Sequence, residues 1–160
     1  GIPSWGRGGL TPIWLHPSQG DVYRSVAGFL NDRVGMVLAG WESGTILAVA
    51  DGSQIVGAAL FHNYDANHGT IEISAASDCK RWLTRAVLWE MFAFPFLQIG
   101  CQAVVARMDA DRPLTRIFTA YGFKRYDIPR LRGRNTVEAV MVLSDDDWRA
   151  NGFHKELPNG

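Results

Sequence analysis

The spacing of apolar residues changes several times along this chain, and each change marks an element. Thr11-Pro12-Ile13-Trp14-Leu15 predicts a short edge strand, the position in a sheet where a proline without an N–H is tolerated. From Asp21 to about Val34 the apolar positions Val22, Val26, Phe29, Leu30 and Val34 recur every three or four residues. That predicts a helix capped by Ser18 or Asp21 and stopped by Gly35 or Gly40. Two apolar runs, 45–50 and 54–62, flank Asp51-Gly52-Ser53 and predict a hairpin. A polar turn over 63–69 leads into a strand over 70–76, where Glu72 alternates with Ile71 and Ile73 and so faces away from them. Leu83, Val87, Met91 and Phe94 predict a helix from Trp82 to about Phe94, ended by Pro95. A strand over 103–109 follows, then a helix over 112–121 with Pro113 near its start and Gly122 at its stop. Strands from Phe123 and over 136–143, and a last turn begun at Asp145, complete the set.

Composition narrows the class. At 160 residues, 47% hydrophobic and 20% charged, the chain is long enough for one domain with a sizeable core. That domain is expected over 10–150, after a glycine-rich flexible arm at 1–9 and before a tail at 151–160. Formal net charge is zero, which argues against nucleic acid as a partner and against charge-driven membrane attachment. No apolar run approaches the ~18–20 residues of a membrane span. Cys79 and Cys101 are too few for a disulfide framework or a zinc site, and a reducing, cytoplasmic setting is expected.

The strongest chemical signal is the loop Ser77-Asp78-Cys79-Lys80-Arg81, where a strand hands over to a helix. Helix N-termini present unpaired N–H groups and a positive dipole end, and here two cationic side chains are added. A ligand bearing a diphosphate is the expectation.

The order of elements, with Phe61-His-Asn-Tyr64, Ile71-Glu-Ile-Ser74, Arg81-Trp-Leu-Thr-Arg-Ala86, Phe94-Pro-Phe-Leu-Gln-Ile-Gly-Cys101 and Ala120-Tyr-Gly-Phe123, resembles the GNAT superfamily of acetyl-CoA-dependent N-acetyltransferases. The likeness is greatest to its ribosomal-protein-acetyltransferase-like branch and to uncharacterised phage and bacterial members, and spans about 46–143. It implies an α/β (α+β) fold: a mixed, mostly antiparallel sheet with helices on both faces and a parallel strand pair that splays apart. It further implies acetyl-CoA held by the main chain of Ile73, Ser74 and Ala75, with the diphosphate on Cys79, Lys80, Arg81, Trp82, Leu83 and Thr84. Asp111 stands where many members place a cofactor-contacting Asn. Phe118 stands where they place a Tyr that protonates the departing thiolate. Cys79 and Arg81 replace glycines of the family loop.

Acetyl transfer to an amine by direct attack needs a base for the amine proton and an N–H near the developing oxyanion. Glu72 is the preferred base, against the plainer reading of a solvent-side strand residue. His62 is the second candidate, against a structural histidine at a strand end. Tyr121 is the phenol nearest to Phe118, though about 300° further round the helix at ~100° per residue. Asn63 and Tyr64 are candidates for the acceptor cleft or for the turn alone. Lys124, Arg125, Arg130, Arg132 and Arg134 read as a solvated loop, a clamp on an anionic acceptor or the cofactor's 3′-phosphate, or a nucleic-acid contact, with Arg132 taken as a candidate substrate residue. No metal is implied. The acceptor, a small molecule or a protein amine, is not named by the sequence, and a homodimer is compatible with it. Two further functions stay open: a binding module that has lost catalysis, and a modifier of nucleic acid or of a protein bound to it.

Overall fold

A computed structural model describes residues 9–34 and 44–150. The expected arm at 1–9 (except Gly9), the helix stop at Gly35 or Gly40, and the tail at 151–160 lie outside the described residues.

The elements follow the order β1 (Thr11–Leu15), α1 (Asp21–Val34), β2 (Thr45–Asp51), β3 (Gln54–Asp65), β4 (Thr70–Ser77), α2 (Arg85–Ala93), β5 (Ala103–Asp109), α3 (Leu114–Tyr121), β6 (Lys124–Pro129), β7 (Val137–Ser144) and α4 (Asp145–Ala150). The strands form one seven-stranded mixed sheet in the order β1-β2-β3-β4-β5-β7-β6. The pair β4–β5 is parallel; β1–β2, β2–β3, β5–β7 and β6–β7 are antiparallel. The parallel register runs from Thr70↔Ala103 to Ile73↔Ala106 and ends there, although β4 continues to Ser77 and β5 to Asp109.

The chain divides into two compact units, one holding the residues up to His62 together with Ser74–Phe92, the other holding Asn63–Ile73 and the residues from Ala93 onward. In the first, α1 lays Tyr23, Val26, Ala27 and Leu30 onto Leu15, Ile46, Ala48, Ala58, Leu60 and Ala76. Of the face expected from the spacing, Val26 and Leu30 are buried and Phe29 and Val34 partly so, whereas Val22 is exposed and Tyr23 and Ala27 fill the core instead. In the second, Phe118 stacks on Phe123 with centroids 4.6 Å apart, and Phe96 on Trp148 at 5.1 Å.

Three element boundaries differ from the pattern-based expectation by three residues or more, the others by at most two. The helix after β4 begins at Arg85, not Trp82, because Thr84 caps it: the Val87 N–H donates to Thr84 Oγ1 at 3.2 Å. Trp82 is therefore not helical. It is buried against β3, where a Cβ added to Gly57 would fall 2.5 Å from the indole Cε3. Pro95 does not end the helix, since Phe94–Ile99 continues as a π-helical turn closed by Gly100 in the left-handed region (φ 85°). Proline sits there at the start of a turn, where no N–H is required of it. Finally β3 runs on to Asp65, so Asn63 and Tyr64 end a strand instead of making a turn. Asn63 has φ 52°, a left-handed value that asparagine tolerates better than most residues.

Candidate functional site

In the first unit, the loop after β4 is held at its start by three devices. The Asp78 N–H donates to the Val56 carbonyl at 2.9 Å, and the Ser77 hydroxyl donates to the same oxygen at 2.8 Å. Ser77 Oγ also accepts from the Cys79 N–H at 2.8 Å. The Arg33 guanidinium, lying 3.5 Å over the Phe29 ring, grips both oxygens of Asp78 at 2.7 Å. That two-pronged hydrogen bond holds the Asp78 carboxyl below its ordinary value and raises Arg33. It also offsets the negative charge of Asp78, which would otherwise oppose an anion at this loop.

Beyond Cys79 the loop is open. Lys80 and Arg81 are exposed and, with Asp78, Cys79, Asp51, Gln54 and Val56, line a pocket of about 590 Å³. Among the described residues the N–H groups of Lys80, Arg81 and Leu83 donate to no acceptor, while those of Cys79 and Val87 are taken by Ser77 and Thr84. Two cations and three available amides around a pocket of this size fit a diphosphate-bearing group. The six residues read from the sequence thus divide: Lys80, Arg81 and Leu83 have amides to offer, Cys79 and Thr84 shape the loop, and Trp82 anchors it.

The Arg33–Asp78 pair has a pH signature. Its stabilisation is present above the unfolded carboxylate value of about 3.9 and is lost as pH falls through the lower folded value. Asp78→Asn is therefore expected to lower the melting temperature slightly at pH 7, with the gap to the parent closing in acid. A gap of the same size below the folded value would contradict it.

In the second unit, Glu72 is half-exposed between buried Ile71 and Ile73, and accepts from Asn63 Nδ2 at 3.1 Å. Arg107 donates to Glu138 through Nη2 at 2.9 Å and is also under the influence of the Glu72 charge; the Glu138 bond raises its pKa first, opposed by burial. Glu138 is only 4% exposed, and Arg132 Nε stands 3.8 Å from its other oxygen. Burial, then the like charge of Arg132, lowers Arg112. Glu72, Asn63, Arg107, Glu138 and Arg132 thus form one polar cluster. Sequence reading picked three of its members and missed Arg107 and Glu138. The available signal was a lone carboxylate inside the apolar run Val137–Leu143, beside an arginine in the neighbouring strand.

The remaining candidates fall elsewhere. His62 Nε2 lies 2.8 Å from Ser74 Oγ in the first unit. Tyr64 is exposed at the end of β3. Asp111 is exposed ahead of α3, its N–H donating to Asp109 Oδ1 at 2.9 Å. Phe118 and Tyr121 are core residues of the second unit. The Tyr121 oxygen accepts from Trp148 Nε1 at 3.0 Å, and burial pushes its pKa up to about 12.

Neither a family model nor a curated protein matches the chain. Solved structures do. The chain is similar to mutant forms of the spermidine/spermine N-acetyltransferase SpeG from Vibrio cholerae, at 11% identity over 88% of this chain and 96% of that one, with a TM-score of 0.69. It is similar to a dodecameric spermidine N-acetyltransferase from the same organism in an intermediate state, at 13% identity over 87% and 95%, TM-score 0.67. It is also similar to yncA from Salmonella typhimurium, solved with its cofactor acetyl-CoA, at 16% identity over 84% and 93%, TM-score 0.62. The chain has the GNAT acetyltransferase fold. These likenesses single out no branch of it. No helix among the described residues is long and apolar enough to cross a membrane.

Proposed function

We propose that this protein is an acetyl-CoA-dependent N-acetyltransferase acting on a primary amine. One observation carries the reading: the parallel register stops at Ile73, and β4 runs on alone in that ladder into a loop that offers amides and two cations at a pocket. In this reading the main chain of β4 past Ile73 receives the pantetheine arm, and the loop from Lys80 to Leu83 holds the diphosphate. The cofactor supplies an activated acetyl group. Glu72, oriented by Asn63 and lying near the Arg107 charge, takes the amine proton, directly or through a water. The cluster Glu72, Asn63, Arg107, Glu138 and Arg132 is the acceptor side, with Arg107 and Arg132 held in place by the buried Glu138.

Calorimetry with acetyl-CoA, followed by thiol release in the presence of a panel of primary amines, tests this. Binding together with amine-dependent thiol release is expected. Binding with no release from any amine would leave a cofactor-binding module, and no binding near millimolar ligand would remove the reading.

A further inference from the structure

The first unit holds a buried hydroxyl tied to a titratable ring. Ser74 is 7% exposed, and its Oγ lies 2.8 Å from Nε2 of the half-buried His62. The buried polar residues among those described are Ser74, Thr115 and Glu138. The other two have structural duties. Thr115 Oγ1 donates to the Arg112 carbonyl at the start of α3, and Glu138 fixes Arg107. Ser74 instead spends its hydroxyl on an imidazole, the one side chain whose ordinary pKa lies near neutrality. The pair runs from a buried position on β4 to a ring that reaches solvent.

Moving an acetyl group from a thioester to an amine makes two proton demands, one off the nitrogen and one onto the sulfur. Glu72 answers the first. For the second, Tyr121 is a poor source: its phenol is buried, holds its proton to about pH 12, and accepts from Trp148. We propose that Ser74, backed by His62, is the proton donor to the departing sulfur, an inference that rests on the acetyl-CoA reading. The C–N bond forms and the C–S bond breaks. The amine proton goes to Glu72, and the Ser74 hydroxyl proton goes to sulfur. In the proposed relay His62 starts as the imidazolium, its Nε2 proton replaces the one lost from Ser74 Oγ, and the neutral ring that remains takes a proton back from solvent. Ser74 is placed for this by sequence: it is the first β4 residue past the end of the parallel register.

The test needs no acceptor. CoA itself is the probe, because its thiolate absorbs in the ultraviolet where its thiol does not. Bound to the unaltered protein, the CoA thiol is expected to titrate about one pH unit lower than when bound to Ser74→Ala, the size of one hydrogen bond to a charged atom. Ser74→Thr, which keeps the hydroxyl, should restore the lower value. His62→Ala supplies the same comparison should Ser74→Ala fail to fold. Equal titration in parent and variants, all binding CoA, overturns the proposal and leaves the acetyl-CoA reading standing. Absence of CoA binding by the unaltered protein overturns both.

Discussion

Glu72→Gln is expected to lower amine-dependent thiol release by a factor on the order of 100 or more, with acetyl-CoA affinity unchanged. The amide is nearly the same shape as the carboxylate and can still meet Asn63, so the strand and the cluster around Arg107 should persist. What it loses is the ability to accept a proton. A base that acts only on the acceptor lowers turnover without touching cofactor binding, and isothermal titration separates the two. Wild-type turnover in the variant would remove Glu72 from the chemistry and return it to the plain role of a half-exposed strand residue. A parallel loss of acetyl-CoA affinity would contradict the division of labour between β4 main chain and Glu72 side chain.

Trp82→Ala is expected to cost about 3–5 kcal/mol, the range for emptying a buried aromatic site. In a chain of this size that lowers the melting temperature by on the order of 10 °C. The indole is 3% exposed and packs so closely on β3 that Gly57 has no space for a Cβ. The glycine is there for contact, not for backbone freedom. Removing the indole should also free the segment 79–84 that presents Lys80, Arg81 and Leu83, so acetyl-CoA affinity should fall with stability. Gly57→Ala approaches the same contact from the other side and should weaken binding as well, through displacement of Trp82 by the added methyl. Thermal melts and calorimetry of both variants check this. A Trp82→Ala protein as stable as its parent would mean that the loop is not anchored there.

Much of the fold was legible because its signals are local. The three-and-four spacing of α1, the Asp-Gly turn between β2 and β3, and the Gly-stopped α3 each depend on residues close in sequence. The misplaced boundaries come from contacts that are not. Trp82 directly precedes the apolar spacing of the following helix, yet it packs against β3, and only the fit onto Gly57 reveals that. Pro95 is tolerated because it stands at the start of a π-helical turn, where its missing N–H is not needed and its carbonyl accepts from the Gly100 and Cys101 N–H groups, and no pattern in the sequence announces such a shift. The candidate site divides the same way. The cationic loop was visible as a strand-to-helix junction. Its Arg33 clamp lies 45 residues away in sequence, and the Ser74–His62 pair joins two strands. Glu72 was readable from alternation on one strand, whereas its neighbours Arg107 and Glu138 depend on the register of β5 with β7.

The decisive measurement is the crystal structure of the full chain with acetyl-CoA. The account predicts the pantetheine along β4 beyond Ile73, and the diphosphate on the amides and cations of Lys80 to Leu83. A cofactor bound on any other surface, or crystals grown at high acetyl-CoA in which that loop stays bare, would contradict it.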